Sequence, residues 1–151
     1  MQTDTERHST TTQAGIADAR AAMKPLCAFI GRAQRQCVTS LLTGEEGQFF
    51  IDKLVTLAAV VAKIPTTYAQ ESLGDQALVH LHYFIGGADW YITERDVDTD
   101  GAGQIQAFGM VNMGHGPEMG YVSIPEILAA GAELDFYFTP KTLAAIKSRR
   151  N

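Results

Sequence analysis

Positive charge is what the middle of this chain has least of. Its 151 residues carry 12 Lys and Arg against 17 Asp and Glu, a formal net charge of −5. Between Gly44 and Pro140 the imbalance sharpens to three bases, Lys53, Lys63 and Arg95, against fourteen acids. A body of that sign repels phosphate backbones and favours a basic partner. The plainer expectation is a solvated acidic surface that keeps the chain soluble. The remaining bases lie near the ends, among them Arg32, Arg35, Lys147, Arg149 and Arg150.

Long apolar runs are also missing. None approaches the roughly 20 residues that cross a bilayer, and MQTDTERHSTTT has no apolar leader core, so a cytoplasmic protein is expected. Only two cysteines are present. On one helix Cys27 and Cys37 would stand about 15 Å apart, beyond disulfide reach, so buried reduced thiols are expected. What remains is 46% hydrophobic, enough for one domain with its own core.

The segment Ala77–Ser123 organises the rest. Ala77, Val79, Leu81, Tyr83 and Ile85 alternate with Leu78, His80, His82 and Phe84, the period of a strand. Gly86 and Gly87 permit a reversal into Trp90-Tyr91-Ile92-Thr93, and Ile105–Asn112 supplies a third strand. A fourth leads to Ser123, and alternation over Glu133–Phe138 predicts a fifth.

Helices flank this core. Residues 1–13 lack periodicity and read as a disordered tail, with a single domain over 14–151. Residues 14–42 form a helical extension in which Pro25 starts a new helix and Leu26, Ile30, Ala33, Cys37 and Leu41 form a stripe. That stripe is expected to lie on the next helix or on a second copy of the chain, a homodimer. Thr43-Gly44-Glu45-Glu46 reads as a capping box opening a helix with Phe50, Leu54, Leu57, Val61 and Ile64 on one face, stopped by Pro65. Thr66–Gln76 is a polar connection. Ser123-Ile124-Pro125-Glu126 is a second capping box, with Gly131 as the stop, and Thr139-Pro140 opens a last helix. The expected fold is α+β: a mainly antiparallel five-stranded sheet, N-terminal helices on one face and a short C-terminal helix.

Several constellations invite chemistry. His80 and His82, two apart on a strand, are a candidate metal pair, with Glu94, His115 or Glu118 to complete it. Packing among aromatics with local hydrogen bonds is the favoured reading of the two rings, so no cofactor is expected. Asp96-Val97-Asp98-Thr99-Asp100-Gly101 begins like a calcium loop, but its twelfth position is Ala107 in place of glutamate, which favours a polar hairpin turn. His115 and Glu118, in a Gly-rich loop, fit a general acid–base pair but lack a paired nucleophile. Trp90, Tyr91 and Phe108 stand among acids, the wrong surroundings for stacking on nucleic-acid bases.

Five stretches together carry a resemblance: LHYF, DWYITE, QAFG, GHGPEMGYVS and ELDFYFTPKTLAAI, preceded by LLTGEEGQFFIDKL and QESLGDQALVHLHYF. They resemble a family of uncharacterised small domains encoded by conjugative plasmids, integrative elements and phages. The likeness covers about residues 40–147. It carries over no enzymatic residue and implies a setting, mobile elements and their counter-defence proteins. The resulting expectation is a non-enzymatic protein that blocks a host defence complex of the CRISPR or restriction type. Asp89, Glu94, Asp96, Asp98, Asp100 and Glu118 would compete for a basic, DNA-binding surface. Two alternatives stay open: a metal-dependent or His/Glu hydrolase, and an auxiliary module for plasmid DNA processing that uses the basic ends.

Overall fold

In the computed structural model, residues 13–96 and 106–149 are described. Helix α1 spans Ile16–Leu26 and runs into a 3-10 turn, Cys27–Phe29. Helices α2, Arg32–Leu41, and α3, Gly47–Ala62, follow. A 3-10 segment, Glu71–Gln76, leads to the short strand β1, Leu78–Val79. Strands β2 (Leu81–Ile85), β3 (Ala88–Arg95), β4 (Gln106–Asn112) and β5 (Pro117–Ser123) come next. Helix α4 (Ile124–Ala129), strand β6 (Glu133–Leu134), strand β7 (Lys141–Thr142) and helix α5 (Leu143–Arg149) complete the order. The fold is α+β. Its five-stranded sheet is antiparallel in the order β5-β4-β3-β2-β6, and β1 pairs with β7 as a separate ribbon.

Strand alternation divides the apolar residues between two faces. Leu81, Tyr83, Trp90, Ile92, Ala107 and Val122 face the main core, which also takes Leu26, Phe29 and Ile30 and the α3 stripe Leu54, Leu57 and Val61. Tyr91 and Met110 face the other way, onto Val79, Leu143 and Ile146. So α1 and α3 cover one face of the sheet, and α5 with the β1–β7 ribbon covers only part of the other.

Several expectations are corrected. Pro25 does not open a helix; it sits in the last turn of α1, and the chain turns instead at extended Ile30 and Gly31. The stripe beyond this break shifts by one residue, so Val38 and Leu42 are buried while Cys37 and Leu41 are exposed. Cys27 is exposed as well, and its sulfur accepts from Arg35 Nη1 at 2.8 Å. Thr43 does not cap α3, which begins at Gly47 with no side-chain cap. Ser123 does cap α4, its hydroxyl accepting from the Glu126 N–H at 3.3 Å, and Gly131 ends that helix at φ 103°. The fifth strand stops at Leu134, because the Asp135 carboxylate accepts from the Tyr137 N–H at 2.9 Å and turns the chain. The last helix starts at Leu143, since Lys141 and Thr142 pair with β1 first. The tail expected over residues 1–13 lies, apart from Gln13, outside the described residues.

The N-terminal extension is thus part of the main core. Ile30 is 1% exposed and Leu41 36%. We expect Ile30→Asp to unfold the protein, because an uncompensated buried charge costs more than a small domain's margin. Leu41→Asp should leave it folded. Circular dichroism of both variants checks this, and a folded Ile30→Asp protein would remove α1 and its turn from the core.

Candidate partner-binding cleft

The half of the second sheet face left open by α5 holds a cleft of about 260 Å3. Thr93, Glu94, Phe108 and Met119 from β3, β4 and β5 line it, together with Tyr68, Gln70, Glu71, Gly74, Asp75, Ala77 and Leu143. A bulge in β3 sets its chemistry. The pairing shifts between Ile92 and Glu94, so that Glu94 stands opposite Phe108. In an unbroken ladder Thr93 would face Phe108 and the carboxylate would turn to the other side of the sheet.

Glu94 is 4% exposed and accepts from the Tyr68 N–H at 2.8 Å. Tyr68 adopts φ 75°, a left-handed conformation that is uncommon for a non-glycine residue. Three bonds hold it there. Glu94 takes its N–H, its hydroxyl meets that of Tyr121, and the neighbouring Thr67 hydroxyl donates to Asp96. The bond to Tyr68 first, then partial desolvation and the negative charge of Asp96, raise Tyr121 above the ordinary phenol value.

Gln70 fixes the rest of the wall. Its side-chain amide donates to the carbonyls of Leu78 and Thr93 at 3.0 and 2.9 Å, and its oxygen accepts from the Leu78 N–H at 2.7 Å. This side chain bridges β1 and β3 at Leu78 and Thr93; the long strand expected over Ala77–Ile85 breaks at His80, whose N–H still donates to the Ile92 carbonyl at 2.8 Å. Asp75, farther along the wall, is paired with Lys147 of α5 at 2.8 Å.

Among the described residues the lining contains three carboxylates, Glu71, Asp75 and Glu94, and no Lys or Arg. Arg95, next to Glu94, lies instead over the Phe29 ring, 5.7 Å from its centroid. Around the cleft, Tyr68, Leu73, Met119 and Tyr121 are exposed.

The expected site residues are divided by this arrangement. Glu94 and Asp96 belong to the cleft and its rim. Asp98 and Asp100 lie outside the described residues, as does the supposed calcium loop over residues 97–105. Asp89 lies five residues from Glu94 along β3, about 16 Å by strand rise. It is engaged there by His82 Nε2 at 2.8 Å, while Asp135 takes Nδ1 at 2.9 Å and the ring stacks on Tyr91. Glu118 pairs with Val111 on exposed β5, away from the cleft. The described acids therefore form no continuous row, and Glu94 is too buried to serve as a free surface charge. His115 is exposed on the turn between β4 and β5. Among the described residues no group of three or more His, Cys, Asp or Glu side chains is arranged to hold a metal ion. Also among them, no helix is long and apolar enough to cross a membrane. Tyr68, Glu71, Asp75 and Tyr121 escaped sequence reasoning; the only signal was a Tyr and two acids in a stretch otherwise lacking periodicity.

His80 lies at the strand break, where burial holds its imidazole below the ordinary value and the Glu94 charge opposes that effect. The unfolded chain then binds the proton first as pH falls through about 6.5, so this group withdraws stability below that pH, until the lower folded value is also passed. The slope is at most about 1.4 kcal/mol per pH unit. Between pH 7.5 and 5.5 we expect the denaturation midpoint to fall less in His80→Gln than in the parent protein. Equal falls would show that His80 does not carry the dependence.

No family model, curated protein or solved structure matches this chain.

Proposed function

We propose that this chain is a non-enzymatic binding protein that presents the acid-rimmed cleft to a basic partner and acts by occlusion. A host defence nuclease or CRISPR complex is the partner, in keeping with the mobile-element setting that the resemblance implies. The observation that carries the reading is the pairing of exposed Tyr68, Leu73, Met119 and Tyr121 with Glu71, Asp75, Glu94 and Asp96 at a cleft whose described lining holds no base. Aromatic and methionine anchors supply contact energy at interfaces, and complementary charge supplies steering and register. Docking is confined to the cleft, where Glu71, Asp75 and Glu94 line the wall and Asp96 lies at the rim, because Asp89 and Glu118 stand elsewhere on the sheet.

The test is capture from host cells with the tagged protein, followed by assay of the captured nuclease. Enrichment of a defence component, inhibition of its DNA cleavage, and loss of both in Glu71→Arg/Asp96→Arg are expected. Both substituted side chains are exposed, so the variant should fold. Inhibition that survives the double reversal would move the interface elsewhere, and a captured nuclease that still cleaves normally would sink the occlusion reading.

A further inference from the structure

We infer that the cleft receives one arginine side chain of the partner; the inference rests on the reading that a basic partner docks at this face. Size comes first. At about 260 Å3 the cavity lies below the ~300–1,000 Å3 of pockets for drug-sized ligands, which suits a single side chain. The order of its chemistry comes next. Ala77, Phe108, Met119 and Leu143 give apolar walls that match an aliphatic stem, and the recessed Glu94 carboxylate gives that stem's head a counter-charge. Among the described residues Glu94 is engaged by one backbone N–H, and a carboxylate has about four lone-pair sites, so acceptor capacity remains. Glu71 adds a second carboxylate in the lining, while Asp75 is already paired with Lys147.

The aromatic surroundings favour guanidinium over ammonium. Tyr68 lines the cleft, and the Phe108 ring that also lines it meets Tyr121 edge-on at 5.4 Å. A planar guanidinium stacks on such rings, forms bidentate bonds to carboxylates and is more weakly hydrated than an ammonium. Weak hydration matters because Glu94 is 4% exposed, so its partner must surrender water to reach it.

N-acetyl-arginine amide, N-acetyl-lysine amide and N-acetyl-citrulline amide, the last an uncharged near-isostere of arginine, separate these contributions. Each is titrated into the full-length protein while the Met119 methyl and the Tyr68 and Thr93 amides are followed by NMR. Arginine amide should shift all three saturably, at least about fivefold more tightly than citrulline amide and more tightly than lysine amide. The advantage over citrulline should shrink severalfold in Glu71→Gln, an exposed change that spares the fold, and shifts should vanish when Met119→Trp fills the cavity. Equal binding of citrulline, stronger binding of lysine, or shifts confined to residues outside the cleft would overturn the inference. If arginine amide fails while capture of the nuclease still depends on Glu71 and Asp96, only the arginine assignment falls. If capture fails as well, the docking face falls with it.

Discussion

Gly109→Ala is expected to destabilise the protein by about 3 kcal/mol or more, the top of the range for overpacked cores. An alanine Cβ there would lie 1.9 Å from the Tyr91 carbonyl oxygen and 2.9 Å from its carbon. Both atoms are main chain, so no side-chain rotation relieves the clash. Relief requires β3 and β4 to separate where Gly109 pairs with Ile92, beside the bulge that places Glu94 in the cleft. Gly120, its pairing partner on β5, is the control, since a Cβ there meets nothing within 4 Å. Urea midpoints should fall steeply for Gly109→Ala and by little for Gly120→Ala. Similar midpoints for the two variants would mean that β3 and β4 do not approach as closely as described.

Tyr83→Ala should cost about 4 kcal/mol or more, and Tyr83→Phe about 1–3 kcal/mol. Tyr83 is fully buried on the inner strand β2, and its hydroxyl donates to the Phe29 carbonyl at 2.6 Å. Burial raises its phenol above the ordinary value, so the group stays a donor throughout the neutral range. The phenylalanine variant removes one bond and strands a buried carbonyl, whereas alanine also opens a large cavity. Measured by denaturation, the difference between the variants isolates the packing contribution of the ring. A Phe variant as stable as the parent would show that the turn after α1 is not anchored through this bond.

What could be read directly from the residues were the features encoded by short-range periodicity. The alternation around Tyr83, the stripe Leu54–Leu57–Val61 and the Ser123 cap each follow from spacing alone, and each has its place in the structure. Misreadings arose where a side chain took over a main-chain role or the backbone turned extended between helices. Gln70 bonds to two strands and splits the first expected one, Asp135 turns the fifth strand away, and Ile30 with Gly31 bends the helical stripe. The local pattern does not announce the Gln70 contacts, because Leu78 and Thr93 lie 8 and 23 residues away, whereas the Asp135 turn is local, its carboxylate bonding two residues on. The cleft was hidden for the same reason. Glu94 was singled out as an exposed acid, but a one-residue slip in β3 carries it to the cleft side and buries it.

The wall of the cleft is fastened at both ends by single side chains. Gln70 ties it to β1 and β3, and Asp75 ties it to Lys147 of α5, whose Leu143 also lines the cavity. Together with the Leu143 N–H, which donates to the Ala77 carbonyl at 3.0 Å, these contacts lead us to expect that opening of this wall and loosening of the C-terminal helix are coupled. If a partner docks in the cleft as proposed, amide exchange in α5 is expected to slow through the same contacts. By reciprocity, a contact that fixes the basic C-terminal helix would then favour that docking.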